Sequence, residues 1–274
     1  MFKKFRLITA LALAFLSFPL YANANISSSQ NISETSINSS ALEKVDFEQI
    51  VKEYGTPLYL YSEDKIRNNC RMFNEVLNEN FGDSAKCLYA SKAFSCPTLL
   101  KILNEENFGL DVVSAGELLA AKHANFPMQN VVFHGNNKSL EEIELGLTLG
   151  VGKFVVDNLD ELNNIISFNK PCNVLLRIRP GIDGHIHTEI KTGNIDSKFG
   201  LSFSEAKEAI SIIQNHENIN LLGTHCHIGS QIFHNDSYIK AVEVMMDFLA
   251  EIRDEFGMTL NVLDLGGGFG VQIC

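Results

Sequence analysis

Residues 261–270 read NVLDLGGGFG, an apolar run of strand type that breaks into three consecutive glycines. Gly266, Gly267 and Gly268 stand between that strand and the point where a helix would begin. Without Cβ atoms, such a loop lets the backbone approach a ligand closely and take up φ > 0. Successive N–H groups then form a cradle for a phosphate, helped by a helix N-terminus. A tight turn needed only for packing is the other reading of the same residues.

Working back from this loop, strand-like runs alternate with helix-like segments. Strands are expected at 57–61, 86–91, 109–113, 130–134, 153–157, 173–179, 221–228 and 261–265, each bounded by Gly, Pro, Asn or Asp. Between them, Ser114 with Glu117 and Ser139 with Glu142 have the spacing of capping boxes. Asn158 caps the helix through Leu162 and Ile165, and Ser202 with Glu205 opens the next. Residues 236–256 carry a broad apolar helical face. This alternation predicts a parallel sheet covered by helices, either a (β/α) barrel or a doubly wound sheet. Setting aside 57–61, it supplies seven strands, one short of a closed (β/α)8 barrel.

The net charge of −11 argues against a nucleic-acid partner or a stable partnership with an anionic membrane, both of which want a basic face. The first residues differ from the rest. Lys3, Lys4 and Arg6 precede an uncharged, mostly apolar stretch from Leu7 to Leu20, and Ala22-Asn23-Ala24 supplies a small-x-small pattern. Residues 1–24 therefore read as a signal peptide, which implies an exported or periplasmic protein. Residues 25–43, rich in Ser and Asn without periodicity, read as a disordered linker, and 44–274 as the barrel. The six cysteines lack CxxC spacing, and Cys87, Cys172 and Cys226 fall on or beside strands, where free thiols are expected.

In either architecture the chemistry lies at the C-terminal strand ends. Lys92 shares parity with Leu88 and Ala90; partly desolvated in a barrel mouth it would be a Schiff-base nucleophile, and solvated it would be an ordinary surface lysine. Asp111 sits among apolar neighbours and needs a partner. The following strands end in His134, Asp157, Arg177 with Arg179, and His225 with His227, then Ser230. A nucleophilic lysine, a phosphate cradle and a flat imidazole together suggest pyridoxal phosphate. Lys92 would bind it, His227 would stack on it, Arg177 would reach its phenolic oxygen, and Ser230 would help hold its phosphate. A second set, His185, His187, His225 and His227, has the HxH spacing of zinc-dependent hydrolase barrels.

Six stretches in order, YASKA (89–93), FGLDVVSAGEL (108–118), RIRPGID (177–183), HTEIKTGNIDSKFGL (187–201), HCHIGSQI (225–232) and LDLGGGFG (263–270), resemble the fold-type III pyridoxal-phosphate-dependent decarboxylases. The details look most like the branch acting on diaminopimelate. The resemblance implies a (β/α)8 barrel of the alanine racemase type, with seven of its eight strands present and the C-terminal β-domain absent. It implies cofactor contacts from Lys92, Asp111, Arg177, His227, Ser230, Gly266, Gly267 and Gly268, no metal, and decarboxylation of meso-diaminopimelate to L-lysine. Such proteins are cytoplasmic homodimers with a small amino-acid substrate. The family's eighth strand carries a glutamate for the pyridine nitrogen, and its β-domain carries a catalytic cysteine that Cys274 does not match. These 274 residues are therefore expected to be truncated and inactive alone. An exported amino-acid racemase on the same barrel is the alternative.

Overall fold

The structure, a computed structural model, describes residues 45–182 and 198–270, together with the backbone of 6–11. Eight parallel strands close into a barrel in chain order: β1 (Arg6–Leu11), β2 (Ala85–Ala90), β3 (Gly109–Val112), β4 (Val131–Phe133), β5 (Lys153–Val156), β6 (Cys172–Ile178), β7 (Ile219–Cys226) and β8 (Val262–Asp264). The helices are α1 (Phe47–Tyr54), α2 (Glu63–Phe81), α3 (Pro97–Glu105), α4 (Ala115–His123), α5 (Leu140–Leu149), α6 (Leu159–Ser167), α7 (Phe203–Ile213) and α8 (Asp236–Phe256). Closure removes the doubly wound sheet from consideration. The seven strands expected from 86 to 265 are all present.

The place of the eighth is taken by β1, which pairs in parallel with β2 (Leu7 beside Ala85) and with β8 (Arg6 beside Val262). The gap expected between β2 and β8 is covered, so neither strand is an edge. All six residues belong to the segment read as an export signal, five of them, Leu7 to Leu11, in its apolar stretch, whose composition also suits a buried strand. Cleavage after Ala24 would take β1 away and reopen the gap. The remainder of 1–24, the linker 25–43 and Cys274 lie outside the described residues.

The strand expected at 57–61 is not one. Leu58, Tyr59, Leu60 and Tyr61 are all exposed and have no ladder, because the closed barrel offers no free edge to pair with. Tyr61 instead stacks on Phe94, with ring centroids 5.0 Å apart.

The helix starts follow their cap chemistry, with one revision. Ser139/Glu142 and Ser202/Glu205 form reciprocal capping boxes. Ser114 Oγ accepts from Glu117 N–H, but the Glu117 carboxylate turns away to accept from Val113 N–H at 2.7 Å. Similarly, Glu161 accepts from Asp157 N–H at 3.2 Å, and Glu142 accepts from Ala115 N–H at 2.9 Å. First-turn glutamates thus satisfy donors at strand ends and helix starts, and hold β3 and β5 to the helices that follow. No disulfide joins the described cysteines; Cys70, Cys87, Cys96, Cys172 and Cys226 are free thiols. Among the described residues no helix is long and apolar enough to cross a membrane.

Helices α2 to α8 pack on the outside of the barrel over one large apolar cluster, to which α1 contributes no residue. Inside, Leu88, Val132, Val155, Leu175 and Val262 form a separate plug. Register adds Gly109 beside Leu88 and Gly223 beside Val262 to this layer. The plug is the floor on which the site is built.

Candidate active site at the barrel mouth

Residues two apart on a strand share a face, so each member of the plug places a partner one layer nearer the C-terminal mouth. That layer is Ala90, Asp111, His134, Asp157, Arg177, His225 and Asp264. Register sets Arg177, His225 and Asp264 side by side across β6, β7 and β8, and Ala90 beside Asp111 across β2 and β3. An apolar floor therefore carries a ring of charged and imidazole groups that the helices and strands keep from water.

Arg177 Nη1 donates to Asp157 Oδ1 at 2.9 Å, and its guanidinium lies 5.3 Å from the centre of the Phe199 ring. Arg177 was expected to face a cofactor oxygen; here Asp157 neutralises it, and Asp157 was not assigned a role from sequence. Asp111 is buried, and burial first, then the charge of Asp264, pushes its carboxyl well above the usual range. Burial likewise pushes His134 well below the ordinary imidazole value, and takes His227 down to about 4. His227 therefore presents a neutral ring at physiological pH.

The glycine loop follows directly from β8. Gly266 and Gly268 take φ of +67° and +94°, a conformation that favours glycine. The loop curls against the segment after β7: Ile232 N–H donates to Gly268 O at 2.8 Å, and Tyr238 Oη donates to Gly267 O at 3.2 Å. A Cβ on Gly266 would come within 2.9 Å of His227 Nδ1, so the imidazole leans on the loop. One detail differs from the cradle expected: Gly266 N–H is already committed to Asp264 Oδ1 at 2.8 Å. Among the described residues, the N–H groups of Gly267 and Gly268 have no acceptor, leaving two donors for an anion.

Crowding here gives a direct prediction. A Cβ on Gly268 would sit 2.0 Å from Gly229 O, against backbone that cannot yield. Gly268→Ala is expected to cost about 3 kcal/mol from strain and overpacking, read as a lowered unfolding midpoint, together with weakened phosphate binding. An unchanged midpoint would show the loop to be slack.

Lys92 sits in the turn after β2 and is exposed, not partly buried as expected, because the chain bends after Ala90 instead of continuing the strand. Its charge still reaches inward, helping to lower the pKa values of Asp111, Glu117, His134 and His227. Ser230 is exposed beside the loop. Arg179 points away to Glu205, at 3.0 Å. His185 and His187 of the zinc reading lie outside the described residues.

Sequence reasoning missed Asp264, and it missed a buried ion pair. Lys138 Nζ lies 2.8 Å from Glu161 Oε1 and donates to Gly135 O at 2.7 Å and Val155 O at 2.9 Å. Burial pushes Lys138 down and Glu161 up, while their mutual attraction pulls both back. Asp264 had a local clue, a carboxylate inside an apolar strand; the lysine and glutamate had none.

A closed (β/α)8 barrel with a polar ring and a glycine loop at its C-terminal strand ends is an enzyme-type barrel that takes its ligand at that mouth. The chain belongs to the pyridoxal-dependent decarboxylases: residues 63–274 match the family's pyridoxal binding domain. It is 44% identical over 234 residues to a diaminopimelate decarboxylase of Bacillus methanolicus, covering 83% of this chain and 54% of that protein. A Bacillus subtilis diaminopimelate decarboxylase is 42% identical, with 83% and 53% covered. Among solved structures, the diaminopimelate decarboxylase of M. jannaschii superposes with a TM-score of 0.72 at 35% identity, over 81% of this chain and 53% of that one. The chain thus spans about half the length of the relatives it matches. These relatives are named decarboxylases, which does not favour the racemase alternative.

Proposed function

We propose that this chain is the pyridoxal-phosphate-holding barrel of a decarboxylase that converts meso-diaminopimelate to L-lysine. The observation that carries the reading is the glycine loop: positive φ, two uncommitted N–H donors and a neutral imidazole leaning on it. Those features fit a phosphate next to a flat ring, and the relatives named for this activity support the substrate. Gly267 and Gly268, with Ser230, would hold the phosphate, and His227 would lie against the ring. Lys92 would carry the cofactor from its exposed turn, and Asp111 would face it as a carboxyl that holds its proton more tightly than an exposed aspartate does. Arg177, neutralised by Asp157, would position rather than bind. When bound, pyridoxal phosphate supplies the electron sink for loss of CO2.

The test is spectroscopic. Purified chain should take up pyridoxal phosphate, and meso-diaminopimelate should perturb the bound chromophore at lower concentration than L-ornithine does. No uptake, or a preference for ornithine, would overturn the reading. Arg6–Leu11 serves either as β1 or as part of a cleaved signal, and N-terminal sequencing separates the two: Met1 is retained if the strand stays, and Asn25 comes first if it is exported.

A further inference from the structure

Below the mouth, four buried polar atoms face one another without hydrogen bonds: Asp111 Oδ1, His134 Nε2, His225 Nδ1 and Asp264 Oδ2. His225 Nδ1 lies 3.3 Å from Asp264 Oδ2, His134 Nε2 lies 3.7 Å from the same oxygen, and His134 Nε2 lies 3.8 Å from Asp111 Oδ1. The two imidazoles meet edge to face, with centroids 4.7 Å apart. The longer separations are too great for hydrogen bonds, and the shortest pair is not aligned for one. Leaving such atoms unsatisfied costs about 1–3 kcal/mol each, and native interiors rarely do so.

The shortest of these separations, 3.3 Å between His225 Nδ1 and Asp264 Oδ2, is that of neighbouring metal ligands, and His134 Nε2 at 3.7 Å needs only a small movement to join them. Zn–N and Zn–O bonds of about 2.0–2.1 Å set neighbouring ligand atoms of a tetrahedron about 3.3–3.4 Å apart. One nitrogen from each of His134 and His225 and one Asp264 oxygen fall within 4.8 Å of one another, and all three residues are buried. The geometry points to a divalent transition-metal site of two imidazoles and one carboxylate, on the barrel axis between the apolar plug and the mouth, with its fourth position towards Asp111. The Asp264 carboxylate is already oriented for this role by Gly266 N–H on its other oxygen, as outer hydrogen bonds commonly orient metal ligands. The ion would tie β4, β7 and β8 together beneath the glycine loop. This site is distinct from the four-histidine set considered from sequence, sharing only His225 with it, and it does not depend on the decarboxylase reading.

The experiment is metal titration of the purified chain after dialysis against a chelator. Co2+ should bind as a single ion per chain and give the visible d–d bands of a four-coordinate site, displaced by Zn2+. The bands should be lost in His134→Gln and in His225→Gln, with circular dichroism confirming that both variants fold. X-ray absorption at the zinc edge of the unaltered protein provides a check independent of the variants. A shell of nitrogen and oxygen with imidazole scattering supports the site. A sulfur-containing shell, bands that persist in both variants, or a crystal structure with only water among the four atoms would overturn it.

Discussion

Alanine in place of Lys92 is expected to reduce borohydride-fixed pyridoxal label to background while leaving the unfolding midpoint within about 0.5 kcal/mol of the parent. The two halves of this expectation come from one fact. Lys92 is exposed in the turn after β2 and, among the described residues, makes no hydrogen bond or ion pair, so its removal takes no polar contact from the described fold. Its charge nevertheless acts on Asp111, His134 and His227 of the mouth and on Glu117 behind them. Peptide mapping of the labelled parent supplies the decisive reading. Lys138 is the competing buried lysine, but three acceptors already surround its ammonium. Label found on Lys138 or any other lysine, or label that survives Lys92→Ala, would remove Lys92 from the role proposed.

Lys138→Met is expected to do the reverse, damaging the fold without touching the mouth chemistry directly. Removing the ammonium leaves the Glu161 carboxylate, only 4% exposed, without its counter-charge. Breaking a buried pair in this way costs about 3–5 kcal/mol, because an uncompensated charge remains in low dielectric. For a chain of this size the loss corresponds to a fall in Tm of roughly 6–20 °C. The companion variant Lys138→Met with Glu161→Gln should recover part of it, since a neutral amide replaces the stranded carboxylate and its oxygen still accepts from Asp157 N–H. A single variant costing under about 1 kcal/mol, on the scale of an exposed pair, would show that water reaches Glu161.

The two variants separate what was readable in the chain from what was not. Lys92, Asp111, Arg177, His227, Ser230 and the three glycines were all legible as candidates, because strand parity and the strand-end rule for parallel barrels are short-range patterns. The exposure of Lys92 was not legible. It depends on the turn that ends β2 at Ala90, and residue alternation alone does not show where a strand stops. Lys138 and Glu161, twenty-three positions apart in sequence, are joined only because β4 and β5 lie side by side in the barrel.

The same division explains the ends of the barrel. Residues 57–61 are a run mostly of leucine and tyrosine, yet they stay outside the sheet, while Arg6–Leu11, mostly apolar, enters it. Both runs have strand-like composition; closure of the barrel decides which of them finds hydrogen-bond partners. By itself, the sequence determined the parallel α/β class, the seven alternating strands, the helix caps and the list of groups at the mouth, since each is written in periods and cap residues a few positions long. Tertiary structure alone decided how those groups face one another. It paired Arg177 with Asp157, turned Gly266 N–H to Asp264, and brought two histidines and two aspartates from four strands to a common point above the plug, because strand register and barrel closure act between residues far apart in the chain.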